Sequence, residues 1–99
     1  MSKPQFDPSK DAQNQREHGV SLALGVSVLD DAFAVELLDT RFNYGEERWN
    51  IFGLVSDTVY VATYTDRDGG PRFISVRKAT KRETDAYYRA RTSAIEVMK

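Results

Sequence analysis

The turn sequence Asp68-Gly69-Gly70-Pro71 constrains the fold of this chain more than any other feature. Asp-Gly and Gly-Gly pairs supply the positive φ angles that tight β-turns need. The segments on either side, residues 58–66 and 72–78, are rich in aromatic and β-branched residues, which favour strands. These two segments are predicted to form an antiparallel hairpin. Ser56-Asp57 is short enough to join the first of them to an earlier strand over residues 47–56 in the same way.

Two helices are predicted before the strands. Asp7 can accept hydrogen bonds from free N–H groups, Pro8 suits the first helical position, and Gly19 tolerates the left-handed conformation in which many helices end. The first helix is therefore predicted over residues 8–18, and an apolar stripe predicts a second over about residues 22–31. Polar residues at every fourth position of the first helix form a stripe that faces either solvent or a substrate: Lys10, Asn14 and His18.

The end of the chain is predicted to form a third helix. Thr80 and Glu83 have the spacing of a capping box, in which each side chain accepts the backbone N–H of the other residue. The helix extends from about residue 81 towards residue 97, and its apolar stripe contains small alanines that allow close packing: Tyr87, Ala90, Ala94 and Val97. With a further strand over residues 33–38, we predict a single α+β domain over residues 1–99. It has two N-terminal helices, an antiparallel meander of three to four strands, and a C-terminal helix packed on the sheet.

Composition excludes several classes of protein. The 99 residues contain no cysteine and one histidine, which excludes a disulfide scaffold and thiolate zinc sites and argues against a histidine-built metal centre. We therefore expect no metal and no cofactor. No apolar run approaches the ~20 residues of a membrane span, and the start of the chain lacks the apolar stretch of a signal peptide. These features predict a cytoplasmic protein that does not contact a membrane.

The charge of the chain is unevenly distributed. The formal net charge is −1, but residues 67–91 contain eight basic and three acidic residues and carry +5, whereas the remainder carries −6. Such a basic end is suited to phosphates, while the acidic remainder is suited to a basic partner. The alternative is an ordinary solvated surface with uneven charge.

Alternation along the last predicted strand divides its side chains between two faces. Ile74 and Val76 mark the helix-covered face, so Arg77 is expected to project from the opposite, more open face beside Ser75 and Phe73. A guanidinium pairs well with a phosphate, and a phenyl ring offers a stacking surface for a base. Arg77 is thus a candidate nucleic-acid contact, with a plain surface cation as the alternative.

Acidic and basic groups meet in Glu46-Glu47-Arg48-Trp49, at the start of the strand over residues 47–56. A carboxylate beside a cation stays ionised and is able to accept a proton, so Glu47 and Arg48 are candidates for proton transfer. A salt bridge at the end of a strand is the alternative. His18 is a further candidate because imidazole exchanges protons near neutral pH. At a helix C-terminus it is equally suited to donate to free carbonyl groups.

Several segments, read together, resemble the BrnT family, the toxin components of type II toxin–antitoxin pairs. They occur in the family's order and spacing from about residue 6 to residue 88. The segments are Asp7-Pro8-Ser9-Lys10, Asn14, His18-Gly19-Val20-Ser21, Gly45-Glu46-Glu47-Arg48-Trp49, Gly53, Tyr64-Thr65-Asp66-Arg67 and residues 72–83 (RFISVRKATKRE).

The resemblance implies a RelE-like ribonuclease fold and a metal-independent endoribonuclease that cleaves RNA and arrests growth when unpaired. It also implies a BrnA-like antitoxin as the partner, typically in a heterotetramer with two antitoxin chains. The DNA-binding part of such an antitoxin represses the operon, so this chain is expected to meet operator DNA only indirectly, through its partner.

Roles for individual residues follow from the resemblance together with the chemistry of RNA cleavage. We expect Arg77 to stabilise charge in the transition state and Arg48 and Arg67 to contact phosphates, with Glu47 or His18 as the base or acid. The remaining expected RNA contacts are Lys78, Lys81, Arg82 and Phe73.

The chain departs from the family pattern at two places. Pro4-Gln5-Phe6-Asp7 stands where the family usually has Phe-x-Trp-Asp, and Glu17 occupies a position that is usually basic. The alternative function is therefore a catalytically degenerate module that binds a partner protein without cleaving RNA. A nucleic-acid binder without catalysis is a third hypothesis.

Overall fold

The tight turn forms as predicted and organises the sheet. Asp68 and Gly69 have positive φ angles of 54° and 79°, which suit a two-residue hairpin loop. The computed structural model describes residues 6–40 and 45–98, and the strands within them pair antiparallel in chain order. The elements are α1 (Pro8–His18), α2 (Leu24–Leu29), β1 (Val35–Leu38), β2 (Trp49–Val55), β3 (Thr58–Arg67), β4 (Gly70–Lys78) and α3 (Lys81–Met98).

This order confirms the predicted α+β meander, with two helices before the sheet and one after it. The boundaries differ by a few residues, because α2 is shorter than predicted at both ends and β2 begins at Trp49 rather than at residue 47. β4 begins earlier than predicted, at Gly70, because its pairing with β3 continues up to the turn. No helix in the described ranges is long and apolar enough to span a membrane.

Local hydrogen bonds confirm the predicted helix caps. Asp7 Oδ1 accepts from the N–H of Ser9 at 2.9 Å, and Gly19 ends α1 in the left-handed conformation with a φ of 75°. At the start of α3, Glu83 Oε1 accepts from the Thr80 N–H at 2.8 Å, and Thr80 Oγ1 accepts from the Glu83 N–H at 3.1 Å. Capping therefore determines both ends of α1 and the start of α3.

The main core lies between α2 and the sheet. α2 approaches the strands closely because two glycines leave room for it. A Cβ atom on Gly25 would lie 2.5 Å from the Phe73 ring, and one on Gly53 would lie 2.4 Å from the Val28 carbonyl oxygen. Neither position has space for a side chain in so closely packed an interior. The buried members of this core are Leu22, Val28, Ile51, Ala62, Tyr64, Phe73 and Val76.

The polar stripe of α1 contains a buried link to the edge of the sheet. Asn14 is 4% exposed, and its Nδ2 donates to the carbonyl oxygens of Val20 at 2.9 Å and Val76 at 2.8 Å. Its Oδ1 accepts from the Val76 N–H at 3.1 Å. Because β4 is an edge strand, Asn14 gives Val76 the pair of hydrogen bonds that a further strand would provide. The prediction that this stripe faces solvent is therefore wrong for Asn14, which attaches α1 to the sheet and lines a cavity with Lys10 and His18.

α3 packs on the face of the sheet opposite α1 and α2. Tyr87 and Ala90 line a groove with Phe52 of β2. Phe52 follows the core residue Ile51 in the strand, so its side chain points to the opposite face of the sheet. Tyr87 is buried, and its hydroxyl donates a hydrogen bond to Asp31 at the end of α2. This bond connects the two helical layers.

Only the first half of α3 is covered. Every residue from 92 to 98 is exposed, and Val97 keeps 84% of its surface accessible to solvent. The prediction that the whole apolar stripe packs on the sheet is therefore wrong for Ala94 and Val97. The sequence pattern is amphipathic over the full helix, but the fold buries only its beginning.

Candidate functional site

A β-bulge in β4 changes which side chains share a face. Thr63 pairs with Ser75 and Tyr64 pairs with Phe73, so Ile74 is an extra residue in β4. Phe73 consequently joins the core beneath α2 and is 1% exposed. The prediction that Phe73 offers a stacking surface is therefore wrong, because strict alternation does not continue across the bulge.

A row of arginines projects from the sheet face opposite α1 and α2. Thr63 and Thr65 in β3 mark this face of the sheet. Each arginine projects from the same face, either because it pairs directly with a residue that points that way or because it lies an even number of residues from one along its strand. Half-buried polar side chains lie between them, and the Thr63 hydroxyl donates to Asn50 Oδ1 at 2.7 Å. We call this surface the arginine face, and its arginines are Arg48, Arg67, Arg72 and Arg77.

At one end of the arginine face, Glu46 contacts two of the arginines. Its carboxylate oxygens lie 3.6 Å from Arg48 Nη2 and 3.2 Å from Arg67 Nη2. The neighbouring Glu47 is exposed, and its backbone carbonyl accepts from the Thr65 hydroxyl at 2.7 Å. Among the described ion pairs, the acid on Arg48 is thus Glu46 and not the predicted Glu47. The available signal was the spacing of Glu46 from Arg48, since residues two apart in an extended chain point the same way.

At the other end, Arg77 forms a bidentate ion pair with Glu83 in the first turn of α3. Its Nη1 and Nη2 atoms lie 2.8 and 2.9 Å from the two carboxylate oxygens. The hydrogen bonds from Arg77, reinforced by the Thr80 N–H, lower the pKa of Glu83 to about 2. The expected open surface is therefore partly closed here, because α3 begins directly over Arg77. Exposed cations surround this turn in the chain: Lys78, Lys81 and Arg82.

His18 lies beside the edge of the sheet. It lines a cavity of about 210 Å³ together with Lys10 of α1 and Ser75 of β4, and its Nε2 is 3.9 Å from Glu17 Oε2. Ser75 precedes Arg77 by two residues, a separation of roughly 7 Å along a strand. His18 therefore lies closer to Arg77 than the group of Glu46, Arg48 and Arg67 does at the other end of the arginine face.

The fold brings the predicted site residues onto one surface but not to one point. Arg67 pairs with Gly70, and Arg77 lies seven residues further along β4, so the two ends of the arginine face are roughly 20 Å apart. Glu47 lies at the Arg67 end, and His18 lies nearer Arg77. Within residues 6–40 and 45–98, no group of three or more metal-binding side chains is arranged to hold an ion.

An arginine-lined sheet face with exposed cations at its rim suits a protein that binds polyanions. A family model described as "Ribonuclease toxin, BrnT, of type II toxin-antitoxin system" matches residues 6–83. The class is thus that of the ribonuclease toxins of type II systems, whose partners are antitoxins. The chain belongs to the BrnT family, which confirms the resemblance seen in the sequence. No curated protein matches it.

Proposed function

We propose that this chain is a metal-independent endoribonuclease that cleaves RNA on the arginine face and arrests growth when unpaired. A BrnA-like antitoxin neutralises it in the cytoplasm, in a heterotetramer with two antitoxin chains. The observation that carries the proposal is the arginine face itself, where guanidinium groups stand at both ends of a polar surface roughly 20 Å long. An RNA strand on this surface meets cations at both ends, so contacts to its phosphates align it along the arginine face.

Arg77 is the proposed group for stabilising charge on the reacting phosphate. Its guanidinium already holds two carboxylate oxygens of Glu83, at 2.8 and 2.9 Å, and a phosphate presents two oxygens in a similar geometry. RNA then displaces Glu83 from an oriented arginine instead of having to order a flexible one. The positive potential of the exposed cations favours this exchange. These cations are Lys78, Lys81 and Arg82.

Cleavage without a metal uses the 2′-hydroxyl of the RNA as the nucleophile. Its oxygen attacks the adjacent phosphorus while its proton passes to a base, and the bond to the 5′-oxygen breaks as that oxygen takes up a proton. The products are a 2′,3′-cyclic phosphate and a 5′-hydroxyl. We assign the proton transfer to His18, because it lies nearer Arg77 than Glu47 does. At the other end of the face, where Glu47 lies, Arg48 and Arg67 pair with Glu46 and contact a phosphate further along the strand.

The test is cleavage of RNA by the purified toxin in the presence of EDTA. Arg77→Ala is expected to lower the rate about 100-fold or more, because it removes charge stabilisation that acts in the transition state. His18→Ala should lower the rate, because it removes the proposed proton-transfer group. Arg89→Ala is the matched control, since Arg89 is an exposed arginine that lines a surface depression formed only by α3 residues, without any residue of the sheet, and its rate should stay within about twofold.

Melting curves of all variants show whether a loss of rate reflects unfolding. Unchanged cleavage by folded Arg77→Ala would reject the role assigned to Arg77. If the unmodified toxin binds its antitoxin but cleaves no RNA, the chain is the degenerate interaction module instead.

A further inference from the structure

An apolar groove of about 140 Å³ lies between α3 and the β1–β2 side of the sheet. Glu83, the ion-pair partner of Arg77, stands among its lining residues. The groove therefore adjoins the Arg77 end of the arginine face. Its apolar walls are Val35, Leu37 and Phe52 from the sheet and Ala86, Tyr87 and Ala90 from the helix.

The apolar surface continues beyond the groove in two directions. Along the sheet, Leu37 and Leu38 are 55% and 44% exposed, and no described strand pairs with the outer edge of β1. Along the helix, the apolar stripe continues through the exposed Ala94 and Val97. Edge strands with exposed apolar side chains are normally covered, and uncovered helix ends gain little stability from propensity alone. Both features indicate a surface that a partner protein covers.

Charge indicates which partner this is. Residues 30–40, which include β1, contain no lysine or arginine and four carboxylates: Asp30 and Glu36, which are exposed, Asp31, which accepts from the Tyr87 hydroxyl, and Asp39, which is buried. RNA is repelled by this segment, and a second copy of the chain would set the acidic segment against itself. An extended segment can pair with the outer edge of β1, its apolar side chains can cover the exposed leucines, and its basic side chains complement the carboxylates of residues 30–40.

We propose that the antitoxin docks in this groove, with an apolar, basic segment added to the edge of β1. The inference rests on the proposed function, because it names the surface through which the antitoxin partner acts. A segment in the groove lies against Glu83 and so holds the Arg77–Glu83 ion pair closed. Neutralisation then results from keeping Arg77 on Glu83 and away from phosphate.

The experiment measures binding of the BrnA-like antitoxin encoded with this toxin, by calorimetry, to the full chain and three variants. Leu37→Asp and Ala90→Glu put a negative charge into the groove and should each weaken binding about tenfold or more. Val26→Asp is the matched control, because Val26 is an apolar residue of α2 with 37% exposure on the other side of the sheet. Its affinity should stay within about twofold.

Two further readouts separate this proposal from the proposed function. Both groove variants should still cleave RNA, because Leu37 and Ala90 are not among the residues proposed to bind or cleave it, but antitoxin should no longer stop them. If Leu37→Asp has a lower melting temperature than the unmodified chain, the affinity of Ala90→Glu alone tests the docking site. Ala90→Glu should keep the fold, since Ala90 is exposed and glutamate is a good helix former.

The contrary outcomes are distinct. Equal affinity of the unmodified chain and both groove variants overturns the docking site while leaving the antitoxin partnership intact. Absence of antitoxin binding to the unmodified chain overturns the partnership itself. A free toxin dimer that Leu37→Asp dissociates shows that a second copy occupies the groove, which also overturns the proposal.

Discussion

Replacing Asn14 with alanine should destabilise this toxin more than its helical position suggests. Asn14 is 4% exposed and makes three hydrogen bonds of 2.8, 2.9 and 3.1 Å to the backbone of Val20 and Val76. Each such bond contributes about 1 kcal/mol net, so Asn14→Ala should lower the free energy of unfolding by about 3 kcal/mol. In a domain of this size, that corresponds to a fall in Tm of roughly 15 °C.

Urea denaturation measures this loss, and an unchanged slope shows that the same surface unfolds. Gln13→Ala is the matched control, because Gln13 is exposed and bonds only to Glu17 one turn away among the described contacts. Gln13→Ala should lower the free energy of unfolding by less than about 0.5 kcal/mol. Asn14→Asp keeps the shape but loses both donors, so it should be at least as destabilising as Asn14→Ala. A loss below about 1 kcal/mol for Asn14→Ala would refute the view that Asn14 completes the β4 edge.

Two other perturbations test the packing around the site. The Arg77 hydrogen bonds lower the pKa of Glu83 from 4.5 to about 2, so the pair stabilises the fold fully above pH 4.5 and loses this contribution as the pH falls towards 2. Arg77→Ala should therefore flatten the acid dependence of urea unfolding in that range, and an unaltered dependence would contradict the pairing. Gly53→Ala should cost about 1–3 kcal/mol, because its Cβ would lie 2.4 Å from the Val28 carbonyl oxygen. A Tm equal to that of the unmodified chain would show that α2 does not approach β2 so closely.

Features set by neighbouring residues could be predicted from the sequence. The Asp68-Gly69 turn, the Asp7 and Thr80 caps and the Gly19 helix end depend on interactions within a few residues. Such interactions are encoded where they act, so they hold whatever the rest of the fold does. The meander follows from short turns between strand-like segments, and the family resemblance extends this to the class of toxin.

Features that depend on distant residues could not be predicted. The bulge that buries Phe73 arises from the match between β3 and β4, and no local signal at Ile74 marks it. Asn14 reaches Val76 across 62 positions in the chain, so its stripe on α1 resembled an ordinary polar surface. The pairing of Glu46 with both Arg48 and Arg67 likewise needs the register of β2 and β3. In each case the decisive neighbour is known only once the sheet has formed.

The most direct test of a ribonuclease toxin acting through the arginine face is induction of this chain alone in bacteria. Arg77→Ala is induced beside it at matched expression, and growth and total RNA are followed in both cultures. We expect growth to stop with fragmented RNA only for the unmodified chain. Normal growth and intact RNA in both cultures, with both proteins soluble and folded, would contradict the account and favour a module that only binds its partner.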